Sequence, residues 1–219
     1  MKSLISRIAD PKRETKILSR TRFFLLKRWF DLVFCALLLP FALPLMLLCA
    51  LAIKLESRGA IFYFQSRTGR GGRRFRMLKF RTMVENAEEL KKKLAHLNQL
   101  QWPDFKIADD PRITRVGGFL RKTSLDELPQ LLNVLKGDMS IVGPRPTSFD
   151  VTTYDLWHTE RLEVTPGITG LWQVSGRSDV EFNDRVKLDS EYIRRQSFLF
   201  DLQIIFRTLA TVFTRRGAY

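Results

Sequence analysis

The chain has 219 residues, 45% of them hydrophobic and 27% charged, which is the size of one domain with an appendage and excludes a disordered chain. Two cysteines, Cys35 and Cys49, exclude a disulfide framework and a Cys-based metal cluster. The formal net charge of +14 calls for an anionic partner, and all of the excess lies in residues 1–83, which hold 18 Lys/Arg against 4 Asp/Glu.

Residues 1–28 are basic and mixed, and read as an interfacial helix or a loose arm. Leu32 to Ile53 follow, 22 residues without a charged side chain. One helix of that length is about 33 Å long, enough for a ~30 Å hydrocarbon core. Pro40 and Pro44 stand at its centre and are expected to break it into two short arms. Basic residues flank the run on both sides, from Lys12 to Arg28 and from Lys54 to Arg74. Positive flanks stay on the cytoplasmic side. A re-entrant helix–break–helix satisfies both flanks, and a kinked crossing helix is the alternative. A signal peptide fits poorly, because the apolar run is too long and its basic lead too extended. The basic flanks read as contacts to anionic lipid headgroups.

Ile61 to Phe64 and Arg74 to Phe80 read as two strands of a hairpin turning at Gly69-Arg70-Gly71-Gly72. Residues 85–100 read as an amphipathic helix that packs Leu90, Leu94 and Leu97 into the core. Leu125 to Leu135 reads as a helix ended by Lys136-Gly137-Asp138. Gly143-Pro144-Arg145-Pro146 and Thr165-Pro166-Gly167 are rigid turns, and Leu171 to Val174 is a short strand. Residues 181–196 suggest a charged surface helix. Leu202, Ile205, Leu209 and Val212 recur at helical spacing, as either a second interfacial helix or a core helix.

Several site types are missing. No Gly-x-Gly-x-x-Gly or phosphate-loop motif occurs, and His96 and His158 have no metal-ligand spacing. The informative stretch is Thr123-Ser124-Leu125-Asp126-Glu127-Leu128-Pro129-Gln130. Ser124 and Glu127 have the spacing of a capping box, which is a structural role. The same helix start also suits phosphate, through free N–H groups and the positive dipole end. Asp126 there would attack phosphorus or bind a cation, with Glu127 about 100° around the helix. Two carboxylates beside a phosphate suggest Mg²⁺. Lys79, Arg81, Arg121, Arg145 and Arg177 are the candidate phosphate cations. Arg145 stands out because flanking prolines limit its backbone.

Taken in order, these blocks resemble the bacterial sugar transferases of the monotopic phosphoglycosyl transferase superfamily, over roughly residues 25–216. The blocks are Lys27-Arg28 with Asp31, Lys79-Phe80-Arg81-Thr82-Met83, and Asp110 to Gly117. They continue with Ser124 to Leu131, Asn133 to Ser140, Gly143 to Pro146, and Pro166 to Arg177. The resemblance implies a helix-rich α+β chain with three parts: the arm 1–28, a re-entrant membrane helix over 29–56, and a compact cytosolic catalytic domain over 57–219. That domain would carry a small β element and interfacial amphipathic helices. The resemblance also implies transfer of a sugar-1-phosphate, hexose-1-phosphate by the Leu171 to Arg177 stretch, from a UDP-sugar to undecaprenyl phosphate at the cytoplasmic face of the bacterial inner membrane. The product would enter exopolysaccharide or O-antigen synthesis, with downstream glycosyltransferases as possible partners. Asp126 would be the nucleophile, Glu127 its dyad partner, and Mg²⁺ would bind at Asp126. Lys79, Arg121, Arg145, Arg177 and Asp189 would line the phosphate and nucleotide-sugar site. Leu43 stands where small members of the family have a Ser before the breaking proline, which removes one hydrogen bond at the break. Larger members carry extra transmembrane helices ahead of this region, so a short form or a catalytic fragment is expected. Two other classes stay open on sequence alone: a nucleic-acid-binding module, which the neutral residues 84–219 disfavour, and a membrane-anchored interaction protein without catalysis.

Overall fold

The computed structural model describes residues 11–98, 107, 109–176 and 181–213, with side chains from Thr21 to Thr211. A single helix, α1, runs from Pro11 to Glu56. It stays helical through Pro40 and Pro44, so the expected break between two arms is corrected. The physical reason is that proline's own φ is helical. Each proline removes a hydrogen bond and crowds the preceding turn, which bends a helix without having to unwind it. One stripe of α1, Ala42, Met46, Cys49 and Ile53, is buried in the core. Most of its other apolar side chains are exposed, among them Trp29, Leu37, Phe41, Leu47 and Leu55. An apolar surface of that extent marks a membrane or partner contact.

Strands β1 (Phe62–Thr68) and β2 (Arg74–Phe80) form the antiparallel hairpin, paired from Phe62 with Phe80 to Thr68 with Arg74. The turn uses Gly71 and Gly72 at positive φ, a conformation glycine adopts without steric cost. β2 buries Phe75, Met77 and Phe80. Helix α2 covers only Ala87–Lys93, followed by a 3₁₀ turn over Ala95–Leu97, and neither buries a residue. The expected longer core helix is therefore corrected: three of its leucines are too few to hold a segment this rich in Lys and Glu against the core.

Helix α3 (Arg115–Thr123) starts at Thr114, whose hydroxyl accepts from Gly117 N at 2.9 Å. Gly117 is required by packing, since a Cβ there would lie 2.1 Å from the Thr82 carbonyl oxygen. A 3₁₀ turn over Leu125–Glu127 leads through Pro129 into α4 (Gln130–Lys136), which ends at Gly137 with φ +87°. Asn133 on α4 clips β2 along its edge, accepting from Leu78 N at 2.9 Å and donating to Arg76 O at 2.8 Å.

Strand β3 (Ser140–Val142) pairs in parallel with β4 (Gly167–Thr169). Leu171–Ser175 is a short helix, α5, and the strand lies just before it; the expected strand over Leu171–Val174 is corrected. Gly143, Gly167 and Gly170 let the β3 and β4 backbones touch, and a Cβ at any of them would fall 2.5 Å or less from backbone atoms. Helix α6 (Phe182–Arg195) is charged outside, yet buries Val186, Asp189, Ser190 and Tyr192. Helix α7 (Phe198–Phe213) buries Phe200, Asp201, Ile204 and Ile205. Leu199, Leu202, Phe206 and Leu209 stay exposed on it. The expected stripe is thus split, with Ile205 inward and Leu202 and Leu209 outward.

Polar groups fasten α1 to the rest of the molecule. Lys27 Nζ lies 2.5 Å from Asp201 Oδ2, and Tyr192 OH donates to Asp201 Oδ1 at 2.8 Å. Asp31 accepts from Ile141 N at 3.0 Å and Ser140 Oγ at 3.1 Å. Arg28 donates to the carbonyls of Val134 and Leu135, in the last turn of α4.

Candidate active site

Asp126 and Glu127 lie on the 3₁₀ turn between α3 and α4. Ser124 sits at φ +58°, ψ 15° and makes no side-chain cap there. Its N–H closes α3 by bonding Arg121 O at 3.1 Å. The capping-box reading is therefore corrected: Ser124 ends one helix, and the Glu127 carboxylate is spent elsewhere. Helix α4 begins after Pro129, so Asp126 lies ahead of its first turn.

Lys79 and Arg145 converge on the dyad. Lys79 Nζ lies 2.7 Å from Glu127 Oε1 and 3.4 Å from Asp126 Oδ2. Arg145 Nη1 donates to Glu127 Oε2 at 3.0 Å, and Arg145 Nη2 to Glu127 Oε1. A bidentate guanidinium–carboxylate pair is among the stronger charge-assisted contacts. β2 carries Lys79, and Gly143-Pro144-Arg145-Pro146, leaving β3, carries Arg145. The parallel pairing with β4 sets that loop, since Arg145 Nη1 also reaches Ile168 O at 3.3 Å.

The two carboxylates differ. Burial opposes ionisation of Glu127, but Arg145 and Lys79 outweigh it and hold the carboxyl well below the usual range. Burial raises Asp126 above its ordinary value; Lys79 opposes the rise and the Glu127 charge adds to it. Among the described residues, Lys79 alone contacts the Asp126 carboxylate, while Glu127 is saturated. The site thus holds one fixed anion and one carboxylate left for chemistry.

Other sequence candidates fall in different places. Arg121 Nε donates to Thr82 Oγ1 at 2.9 Å and acts electrostatically on Asp126. Asp189 has 0% exposure and is paired with Arg161 at 2.7 Å. Arg161 also donates to Arg145 O at 2.8 Å, which links Asp189 to the Arg145 backbone. Arg81 caps the end of α1 through Ser57 and Arg58. Arg177 lies outside the described residues. Arg161 and Thr82 went unselected by sequence reasoning, and only the tertiary contacts bring them in.

Asp126 suits a hard divalent cation. Its carboxylate has a free coordination side, and Mg²⁺ takes one or two protein carboxylates, filling its shell with water and phosphate oxygens. No cluster of three or more acidic, His or Cys side chains occurs among the described residues, so the substrate would have to supply ligands.

A profile of bacterial sugar transferases matches residues 22–215. The chain belongs to that family. It is 45% identical over 198 residues to "Exopolysaccharide production protein ExoY" of Sinorhizobium fredii, covering 88% of each protein. It is 48% identical over 199 residues to "Undecaprenyl-phosphate galactose phosphotransferase" of Salmonella typhimurium, covering 89% of this chain and 42% of that one. It is 43% identical over 216 residues to "UDP-glucose:undecaprenyl-phosphate glucose-1-phosphate transferase" of Caulobacter vibrioides, covering 92% and 75%. The chain therefore spans less than half the length of some relatives and most of others.

Proposed function

We propose that this sugar transferase moves a sugar-1-phosphate from a UDP-sugar to undecaprenyl phosphate in two displacements at Asp126. An Asp126 carboxylate oxygen attacks the sugar-linked phosphorus. The bond from that phosphorus to the bridging oxygen breaks, and UMP leaves with the electron pair. An oxygen of the lipid phosphate then attacks the same phosphorus. The Asp126–phosphorus bond breaks, giving undecaprenyl diphosphate sugar and the free carboxylate. Splitting one transfer into two lets a single oriented nucleophile serve both half-reactions. The carrying observation is the division of labour in the dyad, with Glu127 held by Lys79 and Arg145 while Asp126 stays available.

Glu127 keeps Lys79 and Arg145 in place, and those cations offset charge on the transferring phosphoryl group, where positioning and neutralisation supply most of the rate. Mg²⁺, bound at Asp126 and the substrate phosphates, would supply further neutralisation. Arg121 flanks the same corner. The relatives' names point to galactose, glucose and N-acetylgalactosamine donors, and we infer a hexose-1-phosphate feeding exopolysaccharide synthesis. UMP release from a panel of UDP-sugars, with undecaprenyl phosphate and Mg²⁺, tests the reaction. Release that depends on Asp126, metal and lipid is the expected result; release unaffected by Asp126→Asn sinks it.

The exposed apolar face of α1 supports a membrane location, and the two basic flanks support a re-entrant placement with both ends cytoplasmic, in which α1 bends at Pro40 and Pro44 instead of unwinding there. Single cysteines at positions 10 and 60, in a Cys35→Ser, Cys49→Ser background, should label from the same side. Labelling from opposite sides would replace this topology with a crossing helix.

A further inference from the structure

We infer that Arg67 binds the donor: with Arg145 it forms a guanidinium pair that grips the diphosphate of the nucleotide sugar. This rests on the reading of the site as a nucleotide-sugar phosphotransferase.

Arg67 is near the end of β1, paired in register with Phe75. Side chains alternate along a strand, and directly paired residues share a face. Tyr63, Gln65 and Arg67 therefore share the hairpin face that carries Phe75, Met77 and Lys79. That is the face from which Lys79 reaches the dyad. Arg67 Nη1 lies 3.4 Å from the Pro146 carbonyl oxygen, so its guanidinium is beside the loop that carries Arg145. Its Nη2 donates to Gln65 Oε1 at 2.6 Å, and its Nε is buried without a partner.

Four other buried or half-buried arginines have their charge answered, although Arg81 Nε, like Arg67 Nε, is buried without a partner. Arg112 pairs with Asp110 at 2.6 Å, and Arg161 with Asp189. Arg81 and Arg28 cap the carbonyls at the ends of α1 and α4, where the helix dipole is negative. Arg67 has only an amide oxygen and a distant carbonyl. Among the described residues, no carboxylate comes within ion-pair distance of Arg67 or Arg121. Four cations, Lys79, Arg145, Arg121 and Arg67, thus surround two carboxylates. Burial and the Arg145 charge draw Arg67 down to about 10, against the pull of Glu127. Arg145 has Glu127 as its counter-ion, but a buried guanidinium beside it without one of its own, as at Arg67, is costly unless an anion completes it. The Arg67 fork and the Arg145 N–H groups not taken by Glu127 suit the oxygens of adjacent phosphates, and the surplus charge matches the charge a diphosphate brings.

The experiment measures UDP and UMP binding by calorimetry on the full chain in lipid nanodiscs, beside donor and lipid kinetics. Wild-type protein should bind UDP at least about tenfold more tightly than UMP, the scale of one charge-assisted contact. Arg67→Gln should erase most of that preference and raise the donor KM about tenfold or more, with the undecaprenyl phosphate KM and the thermal midpoint unchanged. Arg67→Lys should recover part of both. An Arg67→Gln protein that keeps its UDP preference and donor KM overturns the inference and leaves the functional reading intact. Equal loss of UDP and UMP binding with a lowered thermal midpoint overturns it in favour of a structural role. Wild-type protein that neither binds UDP nor releases UMP removes the functional reading, and the inference with it.

Discussion

Two clusters of buried charge share this molecule, and they are balanced differently. In the knot between α1 and the catalytic domain, Lys27 meets Asp201, Tyr192 completes Asp201, and Asp31 is met by Ser140 and Ile141. None of its side-chain polar atoms is buried without a partner. At the dyad, cations outnumber carboxylates, Asp126 has one contact at 3.4 Å, and Arg67 Nε has none. A satisfied cluster locks elements together. An unsatisfied one, held by the surrounding fold, is where a charged ligand completes the arrangement.

The sharpest break of that comparison is Asp126→Asn. It removes the proposed nucleophile while keeping the volume, so turnover should fall by about a thousandfold or more. Folding and membrane partition, followed by thermal midpoint and flotation, should persist. Turnover within a few-fold of wild type would place the chemistry elsewhere.

Asp201→Ala should do the opposite. It strands the Lys27 ammonium in the interior, and removing one partner of a buried pair costs about 3–5 kcal/mol. The thermal midpoint should drop sharply, while kcat of the protein that remains folded changes little. Lys27→Met combined with Asp201→Leu should recover much of the lost stability. A selective fall in kcat without loss of stability would make the knot part of the catalytic machinery.

The dyad also sets a pH dependence. In the proposed mechanism Asp126 works as the carboxylate, and burial raises its pKa. Donor kcat/KM should fall as pH drops through that raised value, approaching about tenfold per unit below it. Glu127 stays ionised across the same window because Arg145 and Lys79 hold it down. For stability the sign reverses: the folded state keeps the Asp126 proton to higher pH than the unfolded chain, so ionising this group costs stability as pH rises through the window. A rate inflection at or below the ordinary aspartate value would remove the contrast between the carboxylates.

The smallest effect separates two roles for one residue. Ser124 sits at φ +58° without a capping hydrogen bond. Ser124→Gly relieves that conformation and should leave stability unchanged or raise it by up to about 1 kcal/mol. A capping serine would instead make the same change neutral to destabilising. Thermal midpoints compared with Ser124→Ala decide it, since alanine pays the strain and glycine does not.

Much of the chain was legible because local chemistry dictated it. The hairpin followed from two β-rich runs around Gly71 and Gly72, and α4 ended where Gly137 supplies a left-handed cap. The dyad and its two main cations, Lys79 and Arg145, were readable from sequence blocks, and the structure brings them together. Other readings failed where spacing had two solutions. Ser124 and Glu127 have capping-box spacing, but tertiary cations captured Glu127 first. The prolines of α1 look like breakers, yet their dihedrals fit a helix that is packed along one stripe.

By itself, then, the sequence determined the apolar helix, its basic surroundings and the hairpin, and pointed to the Asp126–Glu127 pair, because composition, turn residues and motif order act over a few neighbouring positions. The tertiary structure alone decided that Glu127 is clamped while Asp126 keeps a single contact, that Asp189 is joined to Arg145 through Arg161, and that Arg67 shares a face with Lys79. Those facts depend on charges brought together from residues 67, 79, 126, 145, 161 and 189, and burial sets their strength only once the chain has folded.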